Sequence, residues 1–537
     1  MVTLLTTALL LGRSLVGAAD GVYLFRDLVT VPRPVLGENL LGGSGAPRAV
    51  PLDAVVAALS SALPPGLVGR LLLVAPLLLV GSGMTVLLRR YGAVATAVGS
   101  GLAIANPYVA ERLLLGQSPS LLGYAMIPWL VAAVRVNQPL PVRVLLVLTA
   151  ALPAALTPVG AVTAGITVLI AALVVGPRSP GGRQPLGHRA VETLGLLVPV
   201  ALLSVPWVLA GLAHPGAGAV RDGADAFAVR SDGYLAVAGS VATLGGVWAE
   251  GAWPASRANG FVTVLALFLV LGAGAAWFAL RGRQGSSEAP GGAPGRRCVD
   301  LAAAGYALPV LTVLLLAGPL LPVWRVLQQV PGVALLRDTH RLLGWAALAV
   351  AALLAVGLAR ALRDLDSRRL AGAGLAVTLV AAGVLTVPDV PARLARDVQP
   401  VVVPAEWHDL VDVLNDGTPG AVLLLPWQPF RQVDWVGSVQ FLDPLPRAVE
   451  PEVVHARDLL VRRDGTRWWV GGEDPAIGGS VDDADDVLDP TLLGAEGISR
   501  VVIWLDSPGD LPRDGTGLRE VHRGEHWRVL EVPAHSP

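Results

Sequence analysis

Carboxylates and arginines gather in three short stretches between long apolar segments, and these residue types do acid–base and phosphate chemistry. The first stretch reads Asp20-Gly-Val-Tyr-Leu-Phe-Arg-Asp27-Leu-Val-Thr-Val-Pro, runs through Glu38, and ends Pro47-Arg48-Ala-Val-Pro-Leu-Asp53. A carboxylate beside a membrane helix can act as a general base. It can also hold a divalent cation that bridges phosphate oxygens. Asp27, Asp53 and Glu38 are therefore the candidates for catalysis. Asp27 and Asp53 lie in apolar surroundings, where a charge needs a partner. Arg26 and Arg48 are the natural partners. Ion pairs that merely fix the loop are the competing reading.

The second stretch reads Ala105-Asn-Pro-Tyr-Val-Ala-Glu111-Arg112-Leu-Leu-Leu-Gly-Gln117. An arginine at a membrane surface suits a lipid phosphate, and Glu111 can equally neutralise Arg112. The third reads Arg337-Asp338-Thr339-His340-Arg341 and abuts an apolar segment. Ionisable groups at membrane depth are costly and point to function; snorkelling of a helix-end side chain is the bland alternative. Arg112, Arg337 and Arg341 are the candidates for phosphate binding, with Glu111, Gln117, Asp338 and His340 as further substrate contacts.

The elements that must carry these residues are read from composition. The chain is 53% hydrophobic and 15% charged over 537 residues, against about 25% charged in soluble domains. A net charge of -1 argues against nucleic acid as partner. All basic residues are Arg. A lone cysteine, Cys298, excludes an intramolecular disulfide. A spanning helix needs roughly 20 apolar residues. Spans are expected near 2–19, 67–88, 92–108, 119–134, 143–157, 159–176, 191–212, 260–280, 300–318, 342–361 and 370–388, about eleven in all. The first is read as a retained helix rather than a cleaved signal peptide, because no positive n-region precedes it and no clean cleavage site follows it.

Arg89, Arg90, Arg135, Arg143, Arg178, Arg183, Arg189, Arg281, Arg283, Arg296, Arg297, Arg363, Arg368 and Arg369 all fall in loops on one side of an alternating count. By the positive-inside rule that side is the cytoplasm. The N-terminus is then inside, and loops 20–66, 109–118, 213–259 and 319–341 lie outside together with everything after 388. The expectation is a multi-spanning domain over 1–388 and an extracytoplasmic α/β domain over 389–537.

In that last part, Pro404 to Asn415 reads as a helix, with Trp407, Leu410, Val411 and Leu414 at helical spacing. Ala421 to Leu425 and Val501 to Leu505 read as buried strands, with a helix from Thr491 to Gly497 feeding the second. Leu518 to His522 and Trp527 to Val532 read as a hairpin turning at Gly524. Its many Trp residues suit core packing or stacking on sugar rings. The run Glu473 to Asp489 is Asp- and Gly-rich but lacks the order of a calcium loop. No soluble-enzyme motif is found, and Gly42-Gly43-Ser44-Gly45 follows no strand.

Three of these stretches resemble the GT-C superfamily of integral membrane glycosyltransferases, within it a bacterial group of arabinofuranosyl- and mannosyltransferase-like membrane proteins. They are Asp27-Leu-Val-x-Val-Pro followed by Pro47-Arg48-Ala-Val-Pro-Leu-Asp53; Asn106-Pro-Tyr-Val-Ala-Glu111-Arg112-Leu-Leu-Leu-Gly116-Gln117 with Pro128-Trp129 beyond; and Leu336-Arg337-Asp338-x-x-Arg341. The resemblance implies a polyprenyl-phosphate sugar donor, an envelope glycan or lipid acceptor, transfer on the outer face of the membrane, and a catalytic carboxylate in the first outside loop, mapped to Asp27. The usual paired acidic motif is not adjacent here, since Arg26 precedes Asp27. A divalent cation is left open. A transporter or flippase of lipid-linked glycans, and a non-catalytic envelope assembly protein, are the competing classes.

Overall fold

The computed structural model describes residues 1–40, 49–175, 186–213, 222–282, 296–330, 332–362, 368–416, 419–457, 459–463, 466–470, 476–482 and 485–533. A helix lies in each of the eleven expected apolar segments, and among the described residues six helices are long and apolar enough to cross a membrane. The segments at Val2–Leu15, Leu140–Ala154, Pro158–Val174 and Leu370–Val384 are apolar but shorter. The first is the clearest correction to expectation. Its α-helix stops at Leu11 and a 3-10 turn carries the chain to Leu15, where residues 2–19 were expected to span.

Side-chain pattern explains which helices sit inside the bundle. Along Gly260–Gly282, Phe261, Val264, Phe268, Leu271 and Phe278 all point outward and are exposed. An apolar face of that size is stable in lipid, not in water. Leu343–Ala361 instead buries twelve of its residues, many of them Ala. Small side chains let neighbouring helices approach closely. These features make the chain a polytopic helical membrane protein.

Beyond residue 400 the chain builds a mixed five-stranded sheet in the order Arg519–Arg523, Trp527–Glu531, Ile498–Trp504, Ala421–Leu425, Val453–Val454. The expected strands, helix and hairpin are found, with the helix at Glu406–Asn415. Side chains alternate across a strand, so Val422 and Leu424 face one core with Trp407, Trp504 and Trp527, while Leu423 and Leu425 face another. These three indoles pack edge to face, with centroids 5.0–5.6 Å apart, as core and not as a sugar platform. Residues 471–475 and 483–484 of the acidic run, and the glycine-rich 42–45, lie outside the described residues.

One small hairpin joins these two bodies. Val22–Phe25 pairs with Leu28–Val29 in register Phe25↔Leu28, which leaves Arg26 and Asp27 as its loop. Its side chains alternate between cores. Val22 and Leu24 pack with the sheet's core, and Tyr23 and Phe25 pack with the helix bundle. Val22 also pairs with Val401, and Arg26 exchanges backbone hydrogen bonds with Gln440 and Leu442, both 2.8 Å.

Candidate functional site

The stretch from Asn106 to Gln117 folds as its residue types dictate. Asn106 caps the helix Pro107–Leu114 by accepting from the Val109 N–H at 3.0 Å, and Pro107 takes the first helical position. The end is a Schellman motif: Gly116 N–H donates to Leu113 O and Gln117 N–H to Arg112 O, both 2.9 Å. Gly116 has φ +72, and a Cβ there would stand 2.5 Å from Phe25 O and 2.9 Å from Asp27 N. Glycine thus lets the helix end lie directly against the hairpin loop. Gln117, one residue on, donates from Nε2 to Asp27 Oδ2 at 2.8 Å.

Successive helical residues point about 100° apart, so Glu111 and Arg112 serve different partners. Arg112 is completely buried. It forms a two-pronged pair with Asp338, donates to Gln117 Oε1 at 2.9 Å, and meets His340 Nδ1 at 2.7 Å. A guanidinium only donates, so His340 Nδ1 accepts and the imidazole proton sits on Nε2. That nitrogen lies 3.0 Å from Glu111 Oε2, without the alignment of a good hydrogen bond. Glu111 accepts from the Gly246 and Val247 N–H groups, both at 3.1 Å. Asp338, rather than Glu111, therefore neutralises Arg112. Burial would push the Asp338 carboxyl up, but the Arg112 guanidinium, with Arg341 and His340 beside it, holds the group below the usual carboxylate range.

Asp27 has an exposed face but crowded flanks. Those flanks push its carboxyl up from the usual range, against the hydrogen bond from Gln117 and the charges of Arg341, Arg26 and Arg337. Arg341 reaches Asp338 Oδ2 at 3.3 Å and Gln117 Oε1 at 3.4 Å. Arg337 is half-buried, with its guanidinium 4.9 Å from the Phe227 ring centre, and burial lowers its own proton affinity. Among the described residues it makes no ion pair.

The expected partnerships of the first loop are corrected. The side chain bonded to Asp27 is Gln117, while Arg26 donates to Gly251 O at 2.7 Å. Asp53 pairs with Arg447 at 3.5 Å, and Glu38 is exposed on a turn docked against Glu450. Neither touches Asp27. Arg48 lies outside the described residues.

Two residues at this end escaped sequence reading. Asp232 and Arg257, both buried, pair at 2.8 Å and close the loop between them, and Asp232 also accepts from Gly246 N–H at 2.9 Å. The ends of this pair are 25 residues apart, so no local spacing announces it.

A divalent cation requires several oxygen ligands. The oxygens of Asp338 face Arg112 and Arg341, those of Glu111 face backbone N–H groups, and those of Asp232 face Arg257. The charges that act most on Asp27 are three guanidinium groups. Among the described residues no three His, Cys, Asp or Glu side chains are placed to hold a metal ion. The residues present do not fit one.

No protein-family model and no curated protein matches the chain. Solved structures do. The cryo-EM structure of arabinofuranosyltransferase AftD from mycobacteria aligns with TM-score 0.59 at 16% identity over 99% of this chain and 40% of that one. A mutant of the same protein aligns with TM-score 0.55 at 16% identity over 99% of this chain and 41% of that one. This chain thus spans about 40% of the length of the mycobacterial protein whose fold it shares.

Proposed function

On the premise of a GT-C fold, we propose that this protein transfers a sugar from a polyprenyl-phosphate donor to an envelope glycan or lipid acceptor on the outer face of the plasma membrane. The observation that carries this reading is Asp27, held by Gln117 in a loop flanked by Arg337 and Arg341. Crowding that raises the Asp27 carboxyl brings it closer to neutral pH, as suits a general base.

In the proposed reaction Asp27 takes the proton of an acceptor hydroxyl. The hydroxyl oxygen bonds to the anomeric carbon as the bond from that carbon to the phosphate oxygen breaks. The electron pair leaves with polyprenyl phosphate, whose growing negative charge Arg337 and Arg341 face. Arg112 is buried with both terminal guanidinium nitrogens engaged, so its part is to hold Asp338, His340 and Gln117 in place beside these two arginines. Glu111, likewise buried, fixes the loop at Gly246 and Val247. Asp53, through Arg447, and the Glu38 backbone N–H, through Glu450 O, anchor the first loop. The outside location follows the arginine pattern of the opposite loops, Arg89 and Arg90 among them.

The test is a panel of radiolabelled polyprenyl-phosphate sugars offered with envelope acceptors to membranes containing the protein. Labelled glycan together with released polyprenyl phosphate supports the proposal. No transfer across the panel by folded protein contradicts it.

A further inference from the structure

We infer that the Asp27 centre works without a divalent cation, with the guanidinium groups of Arg337 and Arg341 facing the donor phosphate where such an ion would sit. This rests on the reading that the site transfers a sugar from a lipid phosphate.

Arg341 shares Gln117 with Asp27, and the charges that act most on Asp27 are the guanidinium groups of Arg341, Arg26 and Arg337. A metal ion there would meet one carboxylate and several like charges, in a chain whose nearby carboxylates are already taken by Arg112, Arg257 and backbone N–H groups. Mg²⁺ usually takes one or two carboxylates together with substrate phosphates, and the guanidinium charges of Arg337 and Arg341 beside the carboxylate forfeit that advantage.

Both guanidinium groups are available to a ligand. Arg337 stacks on Phe227, itself braced edge-on by Trp248 at 4.6 Å, and makes no ion pair among the described residues, although it feels the Asp338 and Asp27 carboxylates. Arg341 is a quarter exposed, and its bonds to Asp338 and Gln117, at 3.3 and 3.4 Å, are long. Long bonds are readily exchanged for the shorter ones that guanidinium makes with phosphate. Arg112, beside them, keeps Asp338 and Gln117 satisfied when Arg341 turns away.

Leaving as polyprenyl phosphate, the donor phosphate goes from one negative charge to two, and the proton of the acceptor hydroxyl goes to Asp27, not to the phosphate. Two planar cations meet that added charge without proton exchange, since arginine stays charged. Arg26 points away, to Gly251 O, and takes no part.

Two readouts on the full chain, stripped with EDTA and held in detergent, decide the matter. Mn²⁺ binding is followed by electron paramagnetic resonance in wild type and Asp27→Asn. Transfer is assayed with EDTA and with added Mg²⁺, Mn²⁺ or Ca²⁺. The expected result is no Mn²⁺ site that depends on Asp27 and transfer unchanged by chelation within about two-fold. Arg337→Ala and Arg341→Ala should each lower transfer by about 10²–10³-fold. A stoichiometric Mn²⁺ site lost in Asp27→Asn, or transfer lost to EDTA and restored by a metal, overturns the inference. Absence of transfer under every condition would instead defeat the functional reading, and the Mn²⁺ titration would still decide this one.

Discussion

Gln117 ties the centre together through a single amide. Its Oε1 receives Arg112 and Arg341, which can only donate, so its Nε2 must donate to Asp27. That bond opposes the upward push on the Asp27 carboxyl. A base works only when ionised, so the acid limb of the rate profile should lie above the ordinary carboxylate range. Gln117→Ala removes an interaction that lowers the Asp27 pKa. Its acid limb should therefore move to higher pH, with kcat falling and KM little changed. An unshifted limb would reduce Gln117 to packing. Arg112→Ala belongs to another class: it strands the buried Asp338, at about 3–5 kcal/mol, and should show as lost thermal stability before lost chemistry. Asp27, Arg112 and the Arg337–Arg341 cluster were legible because charges are scarce between apolar runs. Their pairings were not. The second and third stretches meet across 226 residues at Arg112 and Asp338, and no spacing in the sequence encodes that distance.

Elements place these side chains through backbone shape. The motif from Asn106 to Gln117 is a cap, a helix and a Schellman end, each legible from Asn-Pro at one end and Gly at the other. What the sequence could not tell is that Gly116 rests against Phe25 and Asp27. Gly116→Ala meets both a left-handed φ and a backbone collision, costing about 1–3 kcal/mol. It should displace the Asp27 loop, so transfer should fall well beyond the change in melting temperature; a fully active variant would contradict the assigned contact. The apolar segments were legible as helices because their runs are long and nearly free of charge. Their ends were less so: the first helix breaks at Leu11, where Gly12 and Arg13 follow.

At the scale of the molecule, the Asp27 hairpin is gripped between a helix bundle and a sheet more than 370 residues away in the chain. Asn39 adds a second tie, donating to Pro451 O at 2.8 Å and accepting from Val453 N–H at 2.7 Å. Composition separates an apolar part of the chain from a more highly charged one. Their junction was invisible, since a four-residue strand with buried side chains on both faces carries no alternation to read. Leu24→Ala opens a cavity at that junction and should cost about 2–5 kcal/mol, read as a lower unfolding temperature of the whole chain. A change confined to residues beyond 400 would show that the bodies are not coupled.

The central claim is that Asp27 is the base and the other loop carboxylates are not. Transfer should be measured side by side, at matched expression and melting temperature, for wild type, Asp27→Asn and Asp53→Asn. The account predicts a loss of about 10²–10⁴-fold for Asp27→Asn and near wild-type transfer for Asp53→Asn. Retained transfer by folded Asp27→Asn would contradict it.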